Sequence, residues 1–317
     1  MARNFVFCGG QTPTSTVFKV DIATMLKDAE SDDYGILQEY LYATVRALTS
    51  VGDYIYCGGT NSPENRIWQI DKSDMSYINR STDYSGQIQA LTNDGTYIYC
   101  GGSSPYEVWK IDPADMSKID SILYNSYIFA LDYDGTYIYC GGQGARVWKI
   151  DPTDMSKVDE SASYGGRIHV LVNDGTHIYC AGADTDRVYK IRISDMVKVD
   201  QSADYGTTIR GLTVFDGYVY CGGDGGGATI WKIDISDMSK VDESDAYGGS
   251  IYEFDNDGTN LFCVGSTTKE LWKIDVSDMS KVSALAYGAH MACVLVALAP
   301  TVGYDYPIYP VIFPLET

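Results

Sequence analysis

Residues 134–154 read DGTYIYCGGQGARVWKIDPTD. Asp134-Gly135 is a tight-turn signal, and residues 137–140 form a short apolar and aromatic run. Gly141-Gly142 interrupts that run, residues 147–150 form a second one, and Asp151-Pro152 turns the chain again. The reading is two short β-strands bounded by three turns.

With drift, the same pattern occurs seven times. The cysteine after the first run is Cys8, Cys57, Cys100, Cys140, Cys180, Cys221 and Cys263, at intervals of 49, 43, 40, 40, 41 and 42 residues. The aromatic opening the second run is Phe18, Trp68, Trp109, Trp148, Tyr189, Trp231 and Trp272. The methionine of the next turn is Met25, Met75, Met116, Met155, Met196, Met238 and Met279. Each unit holds four candidate strands, A to D. In the Cys180 unit they are 168–172, 177–180, 188–193 and 197–200. A period of about 41 made of short strands and turns fits one blade of a β-propeller. No stretch offers the three- and four-residue apolar spacing of a helical repeat. Strands B and C are apolar at nearly every position, so both faces are covered, as they are when a blade lies between two others. The expected fold is all-β: a seven-bladed β-propeller.

The ends fit a ring. The chain enters a unit at strand B (residues 5–8) with no strand A before it, and residues 291–298 form a strand A with no partner after it. Pairing the two completes the seventh blade and removes an open edge. The propeller is therefore expected over residues 1–300. Residues 301–317, TVGYDYPIYPVIFPLET, then form an extended Pro/Tyr-rich tail, because Pro307, Pro310 and Pro314 forbid a helix. Its Tyr304, Tyr306, Tyr309 and Phe313 are candidate assembly residues, docking on the chain's own propeller or on a neighbour. The first unit is longer, through residues 32–44, which read as a short helical turn or a protruding loop.

The net charge of −20 argues against nucleic-acid and anionic-membrane partners, which need Lys and Arg clusters. No apolar run reaches membrane-spanning length, and residues 1–10, MARNFVFCGG, show no signal peptide. The chain is thus expected to be made in a cytoplasm, with a final location on a virion or in an extracellular assembly. Seven of the eight cysteines occupy one repeat position, each in its own blade. They read as buried free thiols, because disulfide geometry needs Cα atoms within about 7 Å. No Cys-x-x-Cys pair or His cluster is present, so neither a metal nor a cofactor is expected. Asp255-Asn256-Asp257-Gly258 lacks the spaced carboxylates of an EF-hand loop, and GGDGGG (222–227) precedes a strand rather than a helix.

Comparing the repeats with one another locates the candidate site. The A–B and C–D turns are nearly fixed in sequence. The B–C loops are not: QTPTST, TNSPENR, SSPYE, QGAR, ADTDR, DGGGAT and STTKE. Variation confined to one face is where binding could be selected; drift gives the same pattern. Strand A should line the central channel. Its residues flanking the repeated aliphatic are polar and differ between units. Arg46, Gln89, Arg167, His169, Arg210, Tyr252 and His290 are therefore the candidate ligand-binding set at the channel mouth. The arginines and histidines among them read either as a basic patch for an anionic or sugar ligand, or as groups paired with nearby acids. A tyrosine before each strand A (Tyr34, Tyr84, Tyr124, Tyr164, Tyr205, Tyr247, Tyr287) reads as a packing plug or as a stacking surface for sugars.

With YIYCGG (137–142) followed by VWKIDP (147–152), the repeat resembles two propeller families. Kelch repeats share the strand ending in Gly-Gly and the later aromatic, though the fourth-strand tryptophan of kelch is absent here. Tyr-Val-Thr-Asn-type surface-layer repeats share the strand and turn of the V-x-x-I-D-P kind. Such regular propellers without a signal peptide also resemble components of bacteriophage particles. The expectation is a non-enzymatic interaction or structural propeller in a virion or surface assembly, with a protein partner and a receptor or glycan bound at the variable-loop face. The alternative is a lyase or hydrolase at the channel mouth, with His169 or His290 as general base; no catalytic motif supports it.

Overall fold

The computed structural model describes residues 4–11, 16–31, 43–61, 64–287 and 290–298. They form seven four-stranded antiparallel sheets and no helix. Each sheet is a meander whose innermost strands are Ala43–Val51, Ile88–Asn93, Ile128–Tyr133, Ile168–Asn173, Ile209–Phe215, Ile251–Asn256 and His290–Leu298. These strands A lie side by side around the axis. The chain is a seven-bladed β-propeller. In the closing sheet, called blade 1, His290–Leu298 pairs with Asn4–Gln11, with Phe5 opposite Ala297 and Val6 opposite Val296. The ring is shut by hydrogen bonds between the two ends of the described chain. Blades 2 to 7 follow in sequence order.

The described residues do not share a single central core. Seven apolar clusters each fill one interface between adjacent blades. Strand B explains why. In Ile98–Gly102, Ile98 and Cys100 face blade 2, while Tyr99 faces blade 4. Alternation is preserved, but both directions are apolar because both faces are covered. All eight cysteines are buried and free, and burial raises the pKa of each thiol.

The glycine doublet does not end strand B, as the sequence reading has it. Ile138–Gly142 is a single strand that includes both glycines. The two serve different purposes. A Cβ on Gly141 would meet the Ile168 side chain of the next blade at 2.8 Å, whereas a Cβ on Gly142 would meet the Tyr127 carbonyl oxygen at 1.9 Å. The first glycine makes room for the neighbouring blade and gives way to Ala181 and Val264 in two units. The second lets strand A bulge against it, and it is glycine in all seven units: 10, 59, 102, 142, 182, 223 and 265.

Three further devices repeat around the ring. Each methionine of the C–D turn has a left-handed backbone, with φ from 52° to 64°. That conformation costs a non-glycine residue about 1–2 kcal/mol. Each side chain is at most 6% exposed and fills a blade interface, which offsets the cost. Each strand C carries a long donor that reaches the next blade. Lys19 Nζ donates to the Lys72 carbonyl at 2.9 Å, Lys110 to Pro152 at 2.7 Å, Lys149 to Ile193 at 3.2 Å, Lys190 to Ile235 at 2.6 Å, Lys232 to Val276 at 2.7 Å and Lys273 to Ile22 at 3.3 Å. Blade 2 uses Gln69, whose Nε2 donates to Pro113 at 3.3 Å. All seven interfaces are tied in this way. The tyrosine before strand A is the third device. The hydroxyls of Tyr84, Tyr124, Tyr164, Tyr205 and Tyr247 donate to carbonyls of the next blade at 2.5–3.0 Å. Tyr287 does the same to Cys8 at 2.9 Å. Their rings pack on the strand C aromatic of that blade. These tyrosines are packing plugs, and no open row of rings exists among them for a sugar to stack on. Tyr34 lies outside the described residues, as does the insertion up to residue 42; Ala43 and Thr44 begin strand A of blade 2.

Candidate functional site: the mouth of the channel

The second glycine shapes the site. Every strand A bulges just after its repeated aliphatic: Ile128 pairs with Gly142 and Ala130 with Gly141, which leaves Phe129 as the extra residue. The same step leaves Arg46, Gln89, His169, Arg210 and Tyr252 in their blades, and Ala292 in blade 1. A bulge redirects the side chain it releases. One residue per blade is thus freed on the innermost strand, at its end nearest the B–C loops.

These side chains meet around the ring. Phe129 and His169 have ring centroids 5.1 Å apart, and the Arg210 guanidinium lies 6.0 Å from the Tyr252 ring centre. Tyr127 extends the row outward, parallel to Phe129 within 14° at 6.1 Å, and Tyr106 of the blade 3 B–C loop meets Tyr127 edge-on at 5.3 Å. In blade 3, Gln89 Nε2 donates to Gln87 Oε1 at 3.0 Å. Blades 3 to 5 therefore present amides, then ring faces, then Arg167 and His169.

The cations are not equivalent. Arg210 Nε donates to Asp224 Oδ1 at 2.6 Å, an ion pair with the B–C loop of its own blade. Arg46 Nε donates to Thr60 Oγ1 at 3.2 Å, and the protein around the channel lowers its pKa, mainly by desolvation. Arg167 is exposed and makes no salt bridge among the described residues. Burial, reinforced by Arg210 and Arg167, pushes His169 down to about 4. The imidazole is neutral at pH 7 and only weakly basic.

Charge at the mouth is unevenly spread, and for Arg210 the alternative of pairing with a nearby acid describes the geometry. His169 carries no charge, and Arg210 is spent on Asp224. Arg46 and Arg167 remain as cations without a carboxylate partner among the described residues. His290 opens the closing strand, but its side chain lies outside the described residues, as do Tyr304, Tyr306, Tyr309 and Phe313. Tyr106 and Asp224 were missed because their place at the mouth depends on the shape of the B–C loops, for which the repeat pattern carries no signal.

Below the mouth, side chains cap amides on the free inner edge of neighbouring strands. Glu253 Oε2 accepts from Val294 N–H at 2.9 Å, and Asp255 Oδ2 from Val296 N–H at 2.6 Å. Desolvation pushes these carboxyls up to about 8 and about 6 respectively. Asp257, like Asp94, Asp134 and Asp174, caps its own A–B turn. Among the described residues no group of three or more His, Cys, Asp or Glu could hold a metal ion, and no helix is long and apolar enough to cross a membrane.

No family model matches the chain, and no curated protein matches it. Among solved structures, it is similar to the computationally designed Ika8 protein. The two share 14% identity and a TM-score of 0.65, over 82% of this chain and 77% of that one. At that identity the likeness bears on the fold alone.

Proposed function

We propose that this chain is a non-enzymatic interaction module that binds a receptor or glycan at the B–C loop mouth of its channel, as one component of a larger assembly such as a virion or surface structure. One observation carries the reading. Packing residues repeat from blade to blade, while the residue released by each bulge differs: Arg46, Gln89, Phe129, His169, Arg210, Tyr252 and Ala292. Blade packing does not require that diversity, whereas recognition of an asymmetric ligand does. The assembly part rests on the resemblance to surface-layer and phage propellers. A weakly basic His169 between a phenyl ring and two guanidiniums suits binding better than proton abstraction. The test is glycan-array and receptor binding by the full chain, with a Phe129→Ala/Tyr252→Ala variant beside it. Binding that this variant loses supports the reading. Binding that it retains, or no binding at all, refutes it.

A further inference from the structure

The arc of the mouth from blade 3 to blade 5 combines three chemistries in order. Gln87 and Gln89 offer amide donors and acceptors. Tyr127, 39% exposed, and the parallel Phe129 offer ring faces. Arg167 offers a guanidinium with no carboxylate partner among the described residues. We propose that this arc is a subsite for an acidic saccharide, a sugar ring bearing a carboxylate. The inference rests on the binding role proposed above and narrows its ligand.

Each element has a counterpart in such a ligand. The C–H face of a pyranose packs on an aromatic face, its hydroxyls exchange hydrogen bonds with side-chain amides, and its carboxylate matches the guanidinium fork. The setting adds selectivity. With a net charge of −20, the protein as a whole repels anions. An anion is held only where local cations overcome that field, and His169 keeps the adjoining position neutral. Arg210 is paired with Asp224 and so does not compete for the carboxylate. A neutral sugar would leave Arg167 unmatched. A bare inorganic anion would leave the ring faces unused.

The test uses the full chain and a panel of uronic-acid oligosaccharides (pectate, alginate and hyaluronan fragments), each beside its carboxyl-reduced counterpart, by calorimetry at low salt. At least one acidic oligomer is expected to bind and its reduced form to bind at least tenfold more weakly. Arg167→Gln and Tyr127→Leu, both at exposed positions, should each weaken the acidic ligand at least tenfold. Arg192→Gln, at the opposite face where Arg192 pairs with Asp195, should not. Circular dichroism checks that each variant is folded. The proposal is overturned if no acidic oligomer binds, if carboxyl reduction leaves affinity unchanged, or if inorganic phosphate competes equally and Tyr127→Leu has no effect. Binding of neutral glycans lost in Phe129→Ala/Tyr252→Ala would overturn this inference and leave the broader binding role standing.

Discussion

The division of labour within the glycine doublet makes a sharp prediction. In Gly142→Ala the new methyl would begin 1.9 Å from a backbone oxygen of its own blade, so either the bulge must open or strand B must retreat. In Gly141→Ala it would begin 2.8 Å from the Ile168 Cγ2 of the next blade, a side chain that can rotate. Blade 5 already has Ala181 at that position, fully buried. The second substitution should therefore cost about 1 kcal/mol, at the low end for overpacking. The first should cost about 3–4 kcal/mol, because backbone must move. With an unfolding entropy of about 2.1 cal/mol/K per residue, a chain of 317 residues loses roughly 1.5 °C of Tm per kcal/mol. Thermal unfolding followed by circular dichroism should then show drops of about 5 °C and about 1.5 °C. Gly142→Ala should also disturb the mouth, since Phe129 owes its direction to the bulge. Equal drops, or a smaller one for Gly142→Ala, would refute this assignment of roles.

Two further outcomes follow. Lys110→Met keeps the apolar stem but loses both the 2.7 Å bond to Pro152 and the ammonium over the Tyr97 ring, and should cost about 1.5–3 kcal/mol. Lys110→Gln should cost less, because Gln69 makes the same tie in blade 2; the same melting assay checks the order. Glu253 gives a pH signature. Its folded pKa, up to about 8, lies above the ordinary carboxyl value, so folding favours the protonated form. The associated stability is complete below about pH 4 and is lost as pH rises toward 8. Glu253→Gln keeps an acceptor for Val294 N–H and should gain Tm relative to the parent as pH rises from 5 to 8.5. Parallel Tm–pH curves would contradict this.

The blade, its four strands and the ring closure were all legible in the sequence, because each is written in local signals repeated at one period. Asx-Gly turns, apolar runs and the split unit at the two ends needed no tertiary information. The glycine doublet was legible but misread: Gly is a strand breaker by propensity, yet here the first glycine admits a side chain of the next blade and the second a backbone carbonyl of its own blade. The lysine ties were visible as a repeated Lys, but their acceptors are carbonyls some 42 to 45 residues onward in the five consecutive ties from Gln69 to Lys232, which only blade stacking brings near. At the mouth, the sequence identified which positions differ. It did not reveal that Asp224 neutralises Arg210, or that burial and two guanidiniums discharge His169, since both depend on where a bulge and a variable loop place side chains.

Ring closure is tested most directly by removing residues 290–317 and following thermal unfolding, with a synthetic 290–300 peptide then added in trans. Blade 1 would lose its inner strand, and Glu253 and Asp255 would lose the amides they cap. The expected result is loss of the sharp transition in the truncated chain and its recovery with the peptide. A truncated chain that melts as sharply, and at the same temperature, as the full one would contradict a propeller shut by its own two ends.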